Sequence, residues 1–180
     1  MITLVTLALL AWQFYIGYRR GLFLQGYYVL ASLVALVIAG MNYRGLATVL
    51  TLWVPYSNPT QGSQQFFFTD VNLFDLDKLY YAGLAFFVSY LVTYLVLRFV
   101  GIFIHGLNIT RWRQLWSRLL AGVLSIIVTV LGFSMFLTIL ATVPNEQLQG
   151  LLSGDPLARF LIDGVPLFST YLHQLMQTMV

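Results

Sequence analysis

The chain has 180 residues, of which 59% are hydrophobic and only 8% charged, and its mean hydropathy is +0.83. A soluble domain carries about a quarter charged residues, so this chain cannot cover a water-facing surface and reads as an all-α integral membrane protein. Its net charge of +3 comes from arginines beside apolar runs, not from a polar stripe, so the partner is the lipid bilayer and not nucleic acid.

Crossing the hydrocarbon core takes about 20 apolar residues as helix, and four windows qualify. The first span, residues 2–18, runs into GYRRGLFLQG, with Arg19 and Arg20 between two apolar stretches. At a bilayer centre each arginine would cost about 2.5–3.5 kcal/mol, whereas at a turn the pair anchors a hairpin. The charge follows the apolar run, the reverse of the order in a cleaved signal. Gly17 and Gly21 are expected to let the two spans approach closely where the chain reverses. The second span, 21–43, places Ala31, Ala35 and Ala39 on one face. That spacing reads as a packing seam, the alternative being the ordinary frequency of small residues in any span.

An outer loop, 45–78, follows. Its GLATVLTLWV stretch is too short to cross and reads as a surface segment beyond span two, while Pro55 and Pro59 break any helix after it. Asp75 and Asp77 are expected to cap the start of span three, with cation ligation as the alternative. Phe66, Phe67, Phe68, Tyr80 and Tyr81 read as an aromatic belt.

The third span, 79–104, carries Arg98 near its end. This arginine either snorkels to headgroups or serves a pore or a partner. In the segment 105–118, Trp112, Leu115, Trp116 and Leu119 recur at helical spacing opposite Arg111, Gln114 and Arg118. The pattern fits an interfacial amphipathic helix, or the frayed start of span four, with Arg111, Arg113 and Arg118 as membrane anchors. The fourth span, 119–143, offers a second seam at Ala121, Ser125, Thr129 and Gly132. An amphipathic tail, 145–180, closes the chain. In SGDPLARFLIDG, Asp155 is expected as N-cap, Pro156 at the first helical position and Gly164 as the stop. VPLFSTYLHQLMQTMV then forms an apolar stripe suited to packing on the span ends or resting in the interface.

Four spans put Arg19, Arg20, Arg98, Arg111, Arg113 and Arg118 on one side with no acid, and Arg44, Lys78, Arg159 and every acid on the other. The positive-inside rule assigns the arginine side to the cytoplasm. Residues 1–144 then form a four-span domain with both termini and the tail outside.

Chemistry is sparse. The chain contains no cysteine, and spans one, two and four hold no ionisable group in their apolar runs. Walker A, GxSxG and HExxH patterns are missing, so no catalytic, cofactor or metal site is expected. An enzyme would have to be built from Asp70, Asp75, Asp77 and His173 meeting on the outer face.

Taken in order, YRRGLFLQ after an apolar run, the outer WVPYSNP, WSRLLAGVLSIIVTVLG and the closing SGDPLARFLIDGVPLFS resemble the colicin V production (CvpA) family in its Gram-positive form, over nearly the whole chain. The resemblance implies a bacterial inner-membrane protein of about four spans. It also implies a link to toxin biosynthesis and envelope homeostasis, without a defined biochemical activity. Some members carry a serine protease domain after the membrane part, and none is expected after Val180. The family often has an early acidic residue in span one, where this chain reads MITLVTLALL. It often has Asn before an Arg-Leu-Leu-Gly run, where this chain has Ser117, Arg118, Leu119, Leu120 and Ala121. Roles tied to those groups are not expected here.

The leading expectation is a non-enzymatic scaffold or accessory factor, partnered by itself or by a secretion or envelope protein. The alternative is an oligomeric channel packed through the small-residue faces, with Arg98 and the Arg111–Arg118 cluster biasing its inner mouth toward anions.

Overall fold

A computed structural model describes residues 2–56, 66–68, 76–105, 115–164 and 174. Four long helices, α1 (Ile2–Arg20), α2 (Leu22–Trp53), α3 (Leu76–His105) and α4 (Leu115–Ala141), form the body. Two short ones, α5 (Glu146–Ser153) and α6 (Pro156–Asp163), pack across one end. By length and composition α2, α3 and α4 can each cross a membrane. Three helices among the described residues meet that criterion where four spans were expected, because Trp12, Gln13, Tyr15, Tyr18 and the arginine pair dilute the apolar run of α1. Even so, α1 exposes Leu4, Val5, Leu7 and Trp12.

The long helices associate as two tight pairs, α2 with α3 and α1 with α4, while α1 and α2 touch little although adjacent in sequence. Along α2, Ala31 is buried, and Ala35, Ala39, Tyr43 and Ala47 are buried against Tyr81, Ala82, Ala85, Phe86 and Tyr90 of α3. Alanines without long side chains bring two backbones together, and large rings from the partner fill the space. At the hairpin end Tyr27 donates to the Leu97 carbonyl (2.8 Å), and at the opposite end Tyr81 donates to that of Val54 (2.6 Å), so the pair is antiparallel throughout.

Residues 45–53 differ from the expected surface segment. The helix passes through Arg44 and Gly45 unbroken, because Ala47 is buried and Leu46 and Leu50 pack on the α3 side. At about 1.5 Å per residue, α2 is about 48 Å long, well beyond a hydrocarbon core of about 30 Å. It ends at Val54, which takes extended backbone (φ −107°, ψ 114°) ahead of Pro55, as the proline ring requires of its predecessor.

Gly17 and Gly21 also differ from expectation, since neither brings α1 close to α2. Gly21 forms the turn, and its φ of 85° and ψ of 165° lie in a region open essentially to glycine alone. A Cβ there would meet no neighbour within 4 Å, so its role is conformational. Gly21→Ala is therefore expected to cost about 1–3 kcal/mol from backbone strain, read as a lowered unfolding midpoint in mixed micelles with the bundle contacts unaltered. Gly17 packs against α4 instead.

The cap end has its own core: Leu76 and Leu79 of α3, Leu137 and Ala141 of α4, Leu152 of α5, and Ala158, Leu161 and Ile162 of α6. Phe68 is buried among them, so it belongs to this core and not to the expected aromatic belt, whereas Phe66 is exposed. Helix α5 went unanticipated; Asn145 caps it, accepting from Gln147 N and Leu148 N. The Gln149 side chain, fully buried, donates to the Ala141 and Val143 carbonyls (2.7 and 3.1 Å), which closes the last turn of α4. Helix α6 has Asp155 as N-cap and Pro156 in its first turn, and ends at Gly164. Ser134, well inside α4, donates to the Leu161 carbonyl, so α6 lies along the bundle flank instead of floating above it.

Candidate functional site

Polar side chains within an apolar bundle are costly unless they find partners, so their distribution marks where the chain does something besides span. At the hairpin end Arg19 is exposed, but Arg20 is half-buried and turns inward, 4.9 Å from the centroid of the Tyr28 ring. Arg98 of α3 reaches the same ring at 5.9 Å. Two guanidinium groups thus share one aromatic ring and repel each other. Tyr28 is held by its edge contact with Tyr27 (5.6 Å) and by Gly101 of α3. A Cβ on Gly101 would come within 2.9 Å of both rings, so any larger residue there would displace them.

Arg20 and Arg98 open onto a crevice of about 290 Å³ where the two helix pairs meet. Going away from the hairpin end, α1 presents Arg20, Gln13 and Leu9, while α3 presents Arg98, Tyr94, Leu91, Tyr90 and Phe87. On α4 the order is Ser125, Val128, Thr129, Gly132, Phe133 and Phe136. The α2 contribution is Gln25, 2% exposed, whose amide oxygen has no hydrogen-bond partner. The crevice is therefore cationic and hydrogen-bonding at one end and aromatic at the other. Among the described residues its lining holds no carboxylate. Tyr90 and Tyr94 stack nearly parallel (5.9 Å, 3°), and the Tyr90 hydroxyl is anchored on Ser32 of α2 (2.9 Å).

The α1–α4 pair forms the opposite wall. Gly17 faces Ala121, Gly122 and Ser125, and Gly122 accepts the Phe14 ring. Arg118, at the start of α4, covers the Tyr18 ring (4.2 Å) and donates to the Tyr18 carbonyl (3.4 Å), pinning the two helices where they meet the hairpin end.

Of the residues singled out from sequence, Arg20, Arg98, Ser125, Thr129 and Gly132 line the crevice. Ala35 and Ala39 pack on α3 and Ala31 is buried, while Gly17 and Ala121 pack on each other's helices. Arg111, Arg113, Asp70, Asp75 and His173 lie outside the described residues, as do most of the amphipathic segment and the final helix. Asp77 stands in the first turn of α3. Among the described residues no cluster of three metal-ligating side chains occurs. Gln13, Gln25, Tyr28, Tyr94, Gly101 and Gly122 were not anticipated. Two glutamines interrupting apolar runs and a Tyr-x₃-Tyr-x₃-Arg row on one helix face were the available signals.

A family model described as colicin V production protein matches residues 2–166. The chain is also 26% identical over 176 residues to the uncharacterized transmembrane protein YshB of Bacillus subtilis (strain 168), covering 97% of each chain. No solved structure matches it.

Proposed function

Because the chain is a multi-pass membrane protein belonging to the colicin V production protein family, we propose that it is a non-enzymatic accessory factor of envelope homeostasis and secretion in the bacterial cytoplasmic membrane. The observation that carries this reading is the composition of the crevice. Arginine, tyrosine, glutamine, serine and threonine around an aromatic floor can hold and orient a ligand. The same lining offers no carboxylate or imidazole as a general base beside a nucleophile.

The proposed orientation puts α1 across the bilayer as a fourth span, with the hairpin end and its arginines in the cytoplasm and the α5–α6 cap outside. Single cysteines test this cleanly in a cysteine-free chain. Leu115→Cys and Gln147→Cys, both at exposed positions, are expected to react with an impermeant maleimide from opposite sides, the first only in inverted vesicles and the second in intact cells. Labelling of both from one side would remove the orientation.

An oligomeric channel remains the competing reading, but its packing surfaces are largely engaged within one chain: the α2 alanines against α3, and Ala121 and Ser125 against Gly17. Two measurements decide between them. Loss of the gene is expected to sensitise cells to detergents and cell-wall inhibitors, with rescue by the intact chain. Purified protein in liposomes is expected to pass no voltage-driven ion current. A current that Arg98→Gln abolishes would replace the accessory reading with the channel.

A further inference from the structure

We propose that the crevice is a binding site for an anionic phospholipid, with the phosphate on Arg20 and Arg98 and the chain directed along Phe87, Phe133 and Phe136. The argument starts from charge. Two guanidinium groups converge within one cavity whose lining, among the described residues, has no carboxylate to neutralise them, an arrangement that repels itself unless an anion joins it. Guanidinium forks match phosphate oxygens in geometry, and such charge-assisted bonds are about twice as strong as neutral ones. Tyr28 beneath both guanidinium groups and Tyr94 beside them hold the pair in place instead of leaving them to snorkel.

A second, independent observation points to a ligand. The Gln25 amide oxygen is buried without a partner at the cationic end, and an unsatisfied buried acceptor costs about 1–3 kcal/mol. A headgroup hydroxyl, such as that of a glycerol phosphate, would satisfy it.

The amphipathic gradient favours a lipid over a soluble phosphate. On α1, α3 and α4 the row begins with a charged or hydroxyl-bearing side chain near the arginines and ends on Leu9, Phe87 and Phe136 at the far end, with Leu91 and Val128 between. A free anion would leave the aromatic half of the cavity unused, whereas a phospholipid fills both halves. The deep end also opens sideways: Leu91 and Phe136 are 40% and 43% exposed on the flank that faces hydrocarbon. Through that opening a chain longer than the cavity can continue into the bilayer. The inference rests on the bilayer placement proposed above and not on the envelope role.

The test uses the purified full chain and native mass spectrometry, with phosphatidylglycerol, phosphatidylcholine and inorganic phosphate as probes. The wild type is expected to retain one phosphatidylglycerol with at least about a tenfold preference over phosphatidylcholine, whose choline cation the two arginines repel. Arg98→Gln and Arg20→Gln should each remove most of that preference. Arg98→Lys, which keeps the charge but loses the fork, should retain part of it and guards against misfolding of the neutral variant. Arg19→Gln, an exposed charge at the same end, should leave the preference intact. The proposal is overturned if Arg19→Gln weakens binding as much as Arg98→Gln, if the preference survives in Arg98→Gln and Arg20→Gln alike, or if inorganic phosphate displaces the lipid at equal concentration. Because the readout is binding by the isolated protein, its failure would be distinct from a missing envelope phenotype in cells.

Discussion

Gly17→Ala is expected to lower the stability of the bundle by about 1–3 kcal/mol, and Gly17→Leu to detach α1 from α4. A Cβ on Gly17 would stand 2.5 Å from the Ser125 Cβ and 2.6 Å from the Ala121 backbone oxygen, closer than any real contact. Neither obstacle is the flexible tip of a side chain, so the backbones themselves must part. Parting them loosens the Arg118–Tyr18 contact and moves Arg20 away from Arg98, so the crevice should lose its cationic end along with the helix pair. Two comparisons give the prediction its specificity. Gly122→Ala meets only the Phe14 ring, which can swing aside, and should cost less. Gly26→Ala meets nothing within 4 Å and should be neutral or stabilising by up to about 1 kcal/mol, since alanine is the better helix former. Unfolding by sodium dodecyl sulfate in mixed micelles, followed by circular dichroism, ranks the three.

Asp155→Ala is expected to cost about 2–4 kcal/mol, combining a lost helix cap with lost bonds to a charged acceptor. Asp155 accepts from Leu157 N and Ala158 N as the N-cap of α6. The same carboxylate accepts from the backbone N–H of Thr3 (2.8 Å) and from the Thr3 hydroxyl, 152 positions away in sequence. One side chain therefore ties the start of α1 to the cap. The Thr3 hydroxyl chiefly, then the backbone N–H groups of Thr3, Ala158 and Leu157, hold this carboxyl below its ordinary value of 3.8, although partial burial works against them. A carboxylate with a depressed folded-state pKa stabilises above its unfolded value, and that contribution is lost as pH falls through the folded value. The latch should thus be whole from neutral pH down to about 4 and weaken progressively below 3.8. Hydrogen exchange at Thr3 measures it directly. Protection should fall in acid for the wild type, while Asp155→Ala should show low protection at every pH. Equal protection in both proteins would remove the latch.

What could be read from sequence was what depends on local chemistry. A spanning helix needs a long charge-free run, so most of the helical body was visible in the hydropathy. The Ala31, Ala35 and Ala39 row was visible because helical period alone puts residues four apart on one face. Asp155, Pro156 and Gly164 spelled out α6 because capping uses side chains within three residues of the helix end. Pairing was not visible. Nothing near Gly17 says that its partner is Ser125 rather than a residue of α2, because the choice depends on how whole helix faces fit. The extension of α2 was hidden for a related reason: residues 45–53 are too few to cross, and their helix is packed through Leu46, Ala47 and Leu50 against a core that includes α3. The crevice was hardest to see. Gln13, Gln25, Tyr90 and Tyr94 carry no charge to draw attention in an apolar run, and Arg20 looks like its exposed neighbour Arg19 until the helix is rotated into place.

Helix α3 turns Tyr94 and Arg98 onto the cationic crevice while Leu95, on its neighbouring face, lies exposed on the bundle flank. Tyr94→Cys and Leu95→Cys test this at one depth, since Tyr94 lines the crevice and Leu95 is 53% exposed on the bilayer flank. Each variant would be reconstituted in phosphatidylcholine liposomes and treated with small anionic and cationic methanethiosulfonates. Tyr94→Cys should react, and react faster with the anionic reagent because Arg20 and Arg98 attract it, whereas Leu95→Cys should stay inert in hydrocarbon. Equal inertness of the two cysteines, or faster reaction of Tyr94→Cys with the cationic reagent, would contradict the claim.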